Sequence, residues 1–353
     1  MVKKKMRIGI LTSGGDCPGL NAAIRGVGKA AILNYGMEII GISSGFQGLI
    51  NKEYITLTEK DLSGILTMGG TILGSSREKP FKDSTDSKYA RSKPELIKSN
   101  YKDLELDCLV CIGGNGTQKT AHRLSLEGLN IIGIPKTIDN DVWGTDMTFG
   151  FDSALSIITE ALDRLHTTAN SHKRTMVLEV MGHKAGWLAL YSGIAGGADI
   201  ILIPEIDYDE NAIIENLRER FKLGKPYSIV VVAEGIKTPG KTLSAGEYIS
   251  KLIDENTEQE ARLTILGYTQ RGGTPSPADR VLATGFGTHA AELISNKKFG
   301  RMVNISGNNI GSVKLSDIAG KLKVITDGHP QVKMAELIGT SFGKQVAKKS
   351  FFN

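Results

Sequence analysis

Short apolar runs alternate along the chain with longer stretches whose apolar residues recur at helical spacing. Residues 7–11, 38–42, 106–112 and 130–134 are strand-like apolar runs, and residues 175–180, 198–203 and 227–233 form a second group. Runs of this kind mark parallel strands buried on both faces. Residues 21–33 are rich in small residues, free of proline and read as a helix. Residues 152–167 bring Leu155, Ile158, Ala161, Leu162 and Leu165 round at helical spacing. Residues 283–294 read as a further helix that could return to the first group. The alternation predicts an α/β fold with mostly parallel sheets covered on both faces. A length of 353 residues exceeds one small core, so two such units are expected.

Polar and glycine clusters fall where these strands end. Thr12 to Asp16, Gly113 to Thr117 and Thr137 to Asp139 follow strands of the first group. Glu179 to His183 and Ala233 to Gly235 follow strands of the second. Ligands of open α/β sheets bind outside the carboxyl ends of the strands, so five clusters at five ends predict one cleft. Gly14-Gly15 and the Gly113-Gly114-Asn115-Gly116-Thr117 turn each open onto a helix. Glycine there lets backbone N–H groups approach an anion, and the helix N-terminus favours phosphate. Either turn taken alone is equally a tight strand-to-helix connection; two facing one cleft point to phosphate. Gly69-Gly70 followed by Ser75-Ser76-Arg77 adds a third loop ending in a cation. Neither the Gly14-Gly15 turn nor the 113–117 turn carries the G-x-x-x-x-G-K-[ST] pattern.

Asp139 and Asp141, with Asp146 nearby, follow the strand that ends at Pro135. A surface turn also collects such residues. At a cleft edge, however, one carboxylate can take the proton of a hydroxyl attacking phosphorus while its neighbour serves a Mg²⁺-bound phosphate. Thr137 can donate to a phosphoryl oxygen. Arg174, Arg262 and Arg271 are candidate phosphate forks. Glu234, after the apolar residues 229–233, reads as a carboxylate needing a partner, and a sugar hydroxyl would serve. His183 reads equally as a ligand contact or a satisfied structural histidine.

Composition changes this picture little. Hydrophobic residues make up 40% and charged residues 23%, an ordinary globular balance. A net charge of +5 is spread thinly, and its one dense run, Lys3-Lys4-Lys5, reads as a solvated terminus, so no nucleic-acid partner is expected. No secretory signal or membrane span is legible. Three cysteines fit a reducing, cytoplasmic setting, and Cys108 and Cys111 read as core residues of one strand.

The runs TSGGDCPGLNAAIRG, GGTILGSSR, GGNGT, PKTIDND, TFGFDSA, MGHKAGW, AGGAD, AEG and QRGGTPSPADR occur in this order. With them the chain resembles the 6-phosphofructokinases over nearly its whole length. The resemblance implies two Rossmann-like three-layer α/β/α domains with an active-site cleft between them. Residues 1–150 with about 276–325 would bind the donor, residues 151–275 the sugar phosphate, and 326–353 would be a C-terminal extension. It implies transfer of the γ-phosphoryl of ATP to the 1-hydroxyl of fructose 6-phosphate, with Mg²⁺, in glycolysis. Asp139 matches the catalytic base and Thr137 a substrate and phosphoryl contact, with Asp141 beside them. Gly15, Arg77, Gly114, Asn115, Gly116 and Thr117 match donor-binding positions. Met181, Gly182, His183, Glu234, Tyr268 and Arg271 match sugar-phosphate contacts. Arg174 and Arg262 match arginines that reach the 6-phosphate from a neighbouring subunit, which implies a homo-oligomer, tetramer or dimer.

The chain departs from the family pattern at three positions. Asn115 stands where an Asp usually binds magnesium, and an amide oxygen is the poorer ligand. Tyr268 replaces a usual His, and His183 a usual Arg. Gly116 is the ATP-like residue, because a carboxylate there would crowd and repel the α-phosphate; Lys136 is typical of pyrophosphate-using members and is shared by a subgroup of ATP-using ones. The steric argument favours ATP. The alternatives are a diphosphate-dependent fructose-6-phosphate 1-phosphotransferase, a lipid or NAD kinase, and an inactive sugar-phosphate-binding regulator.

Overall fold

The computed structural model describes residues 4–82, 92–240 and 242–344. Lys3 and residues 345–353 of the expected extension lie outside them. In chain order the elements are β1 (Arg7–Ser13), α1 (Leu20–Tyr35), β2 (Glu38–Ile42), α2 (Gly45–Asn51), β3 (Tyr54–Leu57), α3 (Lys93–Asp103), β4 (Cys108–Gly113), α4 (Asn115–Leu126) and β5 (Ile131–Pro135). They continue through α5 (Phe151–His172), β6 (Thr175–Val180), α6 (Trp187–Ala195), β7 (Ile200–Leu202), α7 (Glu210–Lys222), β8 (Ser228–Ala233), α8 (Ala245–Asn256) and β9 (Ala261–Ile265). The last are α9 (Pro277–Ser295), β10 (Arg301–Ser306), β11 (Asn309–Lys314), α10 (Leu315–Ile318) and α11 (Pro330–Leu337). The fold is mixed α/β with mostly parallel sheets, as the alternation predicts. None of the described helices is long and apolar enough to cross a membrane.

The chain divides into two compact units, Met1–Ser153 with Arg271–Lys323, and Ala154–Gln270 with Val324–Asn353. The first holds a seven-stranded sheet in the order β11-β10-β5-β4-β1-β2-β3. Its five inner strands are parallel, and β3 and β11 join antiparallel at the two edges. The inner strands β1, β4 and β5 are buried almost throughout, which is why their sequences are apolar on both faces. Cys108 and Cys111 lie fully buried in β4, and burial pushes both thiols up, as core residues behave.

Helices α1 and α9 pack through glycine. A Cβ on Gly26 would come within 2.7 Å of the Thr284 carbonyl, and one on Gly287 within 2.6 Å of the Ala23 carbonyl. At the start of α9, Ser276 caps the helix by accepting from the Asp279 N–H. Fully buried Asp279 in turn accepts from the Ser153 N–H and hydroxyl at 2.8 and 2.5 Å.

The second unit holds a four-stranded parallel sheet in the order β7-β8-β6-β9. The residues expected to be a C-terminal extension are partly woven into it. The Ile201 N–H donates to the Ser341 carbonyl and the Ser341 N–H to the Asp199 carbonyl, both at 2.9 Å, so the chain beyond α11 runs along β7.

Candidate active site

In the first unit, register brings three of the predicted clusters together. Ser13 of β1 pairs with Gly113 of β4, and Gly113 with Pro135 of β5. The three strands therefore end level, and Gly14-Gly15, Gly114 to Thr117 and Lys136 to Asp141 emerge side by side at one sheet edge. The 75–77 segment joins them: the Gly14 N–H donates to the Ser76 carbonyl at 2.9 Å, and the Ser75 hydroxyl to the Gly14 carbonyl at 2.6 Å. Gly14 has φ +88°, a conformation that suits glycine. Arg77 follows, exposed to solvent.

Helix α4 starts at this edge, with Gly114 before it and Asn115, Gly116 and Thr117 forming its first turn. Gly116 is exposed, and a Cβ built on it meets no described atom within 4 Å. Thr117 is buried, its hydroxyl 3.4 Å from the Ser13 carbonyl. The first-turn N–H groups of α4 lack partners within the helix, which makes this edge suited to an anion.

The loop after β5 carries the carboxylates. Asp139 and Asp141 are buried, as are Lys136, Thr137 and Asn140. The Thr137 hydroxyl accepts from the Asp139 N–H at 3.1 Å, a local turn that fixes the residue between them. Asp139 Oδ1 is buried and, among the described residues, has no hydrogen-bond partner. An unpartnered buried carboxylate oxygen is destabilising in itself, and is what a site that must accept a proton presents. Asn115 donates through Nδ2 to the Asp141 carbonyl at 3.1 Å, which links the α4 turn to this loop.

Two cations meet this edge. Lys136 donates through Nζ to the Gly15 carbonyl. Burial pushes its pKa down, aided by the Arg271 charge, while Cys17, Asp139 and Asp16 favour the ammonium. Arg271 donates to the Asp16 carbonyl at 3.3 Å, and its buried Nε has no partner among the described residues. A Cβ on Gly15 would meet Arg271 Nη1 at 2.7 Å, so glycine is what lets this guanidinium lie against the turn.

In the second unit Val180 of β6 pairs with Ala233 of β8, so Met181-Gly182-His183 and Glu234 emerge side by side. The His183 N–H donates to Glu234 Oε1 at 2.9 Å. Glu234 is exposed. The apolar residues before it had suggested a buried carboxylate, but the strand ends at Ala233 and the next side chain reaches water. His183 is exposed with φ +53°, and its carbonyl packs where a Cβ on Gly235 would stand, 2.0 Å away. The Met181 N–H donates to Gln270, whose side chain is fully buried. Tyr268 is 73% exposed, so its ring lies largely in solvent.

Arg174 and Arg262 share one acceptor that the sequence did not single out. Arg174 pairs with one oxygen of Glu260 and Arg262 with the other. Sequence reasoning also missed, in the first unit, Thr148 and Lys323, which hydrogen-bond Asn140 between Asp139 and Asp141. Among the described residues no three or more His, Cys, Asp or Glu side chains cluster as metal ligands would.

Comparison with known proteins identifies relatives. Residues 7–294 match the phosphofructokinase family. The ATP-dependent 6-phosphofructokinase 3 of Bacteroides thetaiotaomicron is 60% identical over 338 residues, covering 96% of this chain and 100% of that protein. The ATP-dependent 6-phosphofructokinase of Spirochaeta thermophila is 56% identical over 357 residues, covering 96% and 98%. Among solved structures, Pichia pastoris phosphofructokinase in the T-state matches with a TM-score of 0.83 at 32% identity over 96% of this chain. This chain spans only 37% of that longer chain. The pyrophosphate-dependent phosphofructokinase of Nitrosospira multiformis shares the fold, with a TM-score of 0.82 at 23% identity over 98% of this chain and 94% of that one.

Proposed function

The chain belongs to the phosphofructokinase family, and we propose that it is an ATP-dependent 6-phosphofructokinase acting in glycolysis. It transfers the γ-phosphoryl group of ATP to the 1-hydroxyl of fructose 6-phosphate, giving fructose 1,6-bisphosphate and ADP. The observation that carries the chemistry is the buried, unpartnered Oδ1 of Asp139 beside two glycine turns. Asp139 takes the proton of the sugar 1-hydroxyl as the new O–P bond forms. The bond between the γ-phosphorus and the bridging oxygen breaks, and ADP leaves with that oxygen. The Gly14-Gly15 turn, Arg77 and the 114–117 turn hold the donor phosphates, and Lys136 and Arg271 offset the charge that accumulates on them. Thr137 fixes Asp139 through its N–H and contacts the transferred group.

Mg²⁺ would be held here by Asp141 and Asn115, whose amide lies against the Asp141 backbone. Asp141 supplies a carboxylate and Asn115 an amide oxygen, hard donors suited to an ion that keeps waters and phosphates in its shell. No all-protein cage is needed for an ion that arrives with the nucleotide, and Asp141 with Asn115 would hold it. When bound, it neutralises phosphate charge.

Gly116 supports ATP over diphosphate. The space at its missing Cβ is open, so no described residue crowds an α-phosphate there. Lys136 is compatible with either donor. Glu234, Met181, Gly182, His183, Tyr268 and Arg271 take the sugar phosphate. Arg174 and Arg262 reach the 6-phosphate of a neighbouring subunit in a dimer or tetramer, in the cytoplasm. Phosphorylation of fructose 6-phosphate measured with ATP and with diphosphate, each with Mg²⁺, tests the reading. Activity with ATP is expected, and activity with diphosphate alone would overturn it.

A further inference from the structure

Asn140 separates Asp139 from Asp141 and has φ +50°. That left-handed conformation is uncommon outside glycine, and Asn tolerates it when its side chain is bonded locally. Here the bonds are specific. Asn140 Oδ1 accepts from the Thr148 N–H at 3.1 Å and from Lys323 Nζ at 2.9 Å. The same ammonium donates to the carbonyls of Thr145 at 3.1 Å and Asp146 at 2.8 Å. The Lys323 N–H donates to the Asp141 carbonyl at 2.8 Å, next to the antiparallel bridge of Val142 with Leu322. An ammonium has three donors, and these acceptors all belong to residues 140–146.

We infer that Lys323 is a positioning residue for the catalytic loop: by tying Asn140 to residues 145 and 146, it holds the backbone that aims Asp139 and Asp141. The inference rests on Asp139 as the base. Lys323 acts through Asn140 and the carbonyls of Thr145 and Asp146. A neutral side chain of similar length would leave one amide oxygen and two carbonyls without this donor, and the strained turn would lose its brace. A base displaced by about 1 Å loses on the order of a hundredfold in rate, whereas substrate binding is held mainly by other groups.

The test compares Lys323→Met, Lys323→Arg and Asp139→Asn in the full chain, with kcat and both KM values measured on folded enzyme. Lys323→Met is expected to lower kcat about 10- to 100-fold while both KM values stay within about threefold. Lys323→Arg, which keeps charge and donors, is expected to recover most of that loss. The inference falls if Lys323→Met keeps kcat within about twofold, or if its loss is shared equally by both KM values and Arg recovers nothing. Should Lys323→Met fail to fold, Lys323→Gln, which keeps an N–H donor without the charge, undergoes the same comparison under the same criteria. Inactive Asp139→Asn beside an unaffected Lys323→Met overturns the role of Lys323 alone. Full turnover by Asp139→Asn overturns both it and the base assignment.

Discussion

Replacing Asp139 by Asn separates the work of the carboxylate from its cost. The amide has nearly the same shape, and the Asp139 N–H keeps its bond to Thr137. Loss of a general base lowers turnover about 10²- to 10⁴-fold, which is about 3–5 kcal/mol of transition-state stabilisation. Proton acceptance belongs to the transition state, so the KM for fructose 6-phosphate should stay within about threefold. Stability should not follow activity. Asp139 Oδ1 is buried without a partner among the described residues, a defect of about 1–3 kcal/mol that the substitution relieves in part. Against this, the ammonium of Lys136 loses one of the charges that favour it. The two effects oppose each other, and the melting temperature should move by no more than about 2 °C. Coupled measurement of ADP release and calorimetry on the same preparation give both numbers. Turnover within about tenfold of wild type would refute the base assignment. A fall of more than about 5 °C in melting temperature would show that the carboxylate holds the fold instead.

Four further changes follow from named contacts. Gly116→Asp meets no described atom and places an acid in the first turn of α4, so folding should be unharmed. Two like charges about 4 Å apart repel by roughly 4 kcal/mol at an effective dielectric of 20, so ATP-dependent kcat/KM should fall by at least about a hundredfold, and unchanged ATP kinetics would refute the steric argument. Glu260→Gln frees two guanidinium groups from partly exposed pairs worth up to about 1 kcal/mol each, so the KM for fructose 6-phosphate should drop about two- to tenfold, and a rise would mean that Glu260 orients them instead. Asp279→Ala removes two charge-assisted bonds to Ser153 and should destabilise by about 3 kcal/mol in calorimetry. Burial pushes Lys323 down to about 8 from 10.5, with Asp146 and Asp141 opposing. Between those values the unfolded chain binds the proton more readily than the folded one, so the stability of wild type relative to Lys323→Met should increase with pH in urea titrations from about pH 8 to 10.

The central strands were legible because parallel strands covered on both faces must be apolar throughout, as β1, β4, β5, β6 and β8 are. The edges were not. β3 and β11 are largely exposed or half-exposed, so neither leaves a continuous apolar run. Helix α9 was read as residues 283–294 and starts at Pro277, six residues earlier. Between Pro277 and Leu282 only the polar Asp279 is buried and Val281 is exposed, so no apolar period marks that first stretch. The residues beyond α11 gain their place from carbonyl and N–H groups at Ser341, which any sequence supplies.

The same division runs through the candidate site. Gly14-Gly15, the 113–117 turn and Asp139 stand out because unusual residue types recur at strand ends, and level registers make them neighbours. Glu234 misled because an apolar run predicts a buried strand and says nothing of the residue just past its end. Lys323 left no signal at all. It meets the loop 177 residues or more away in sequence, through carbonyls that carry no side-chain signature, and its own side chain is one lysine among many. Chemistry at the sheet edge depends on which residues are present, whereas aiming that chemistry depends on backbone acceptors. The aim of Asp139 is therefore visible only where the chain folds back, at the turn of Asn140 that one distant ammonium holds.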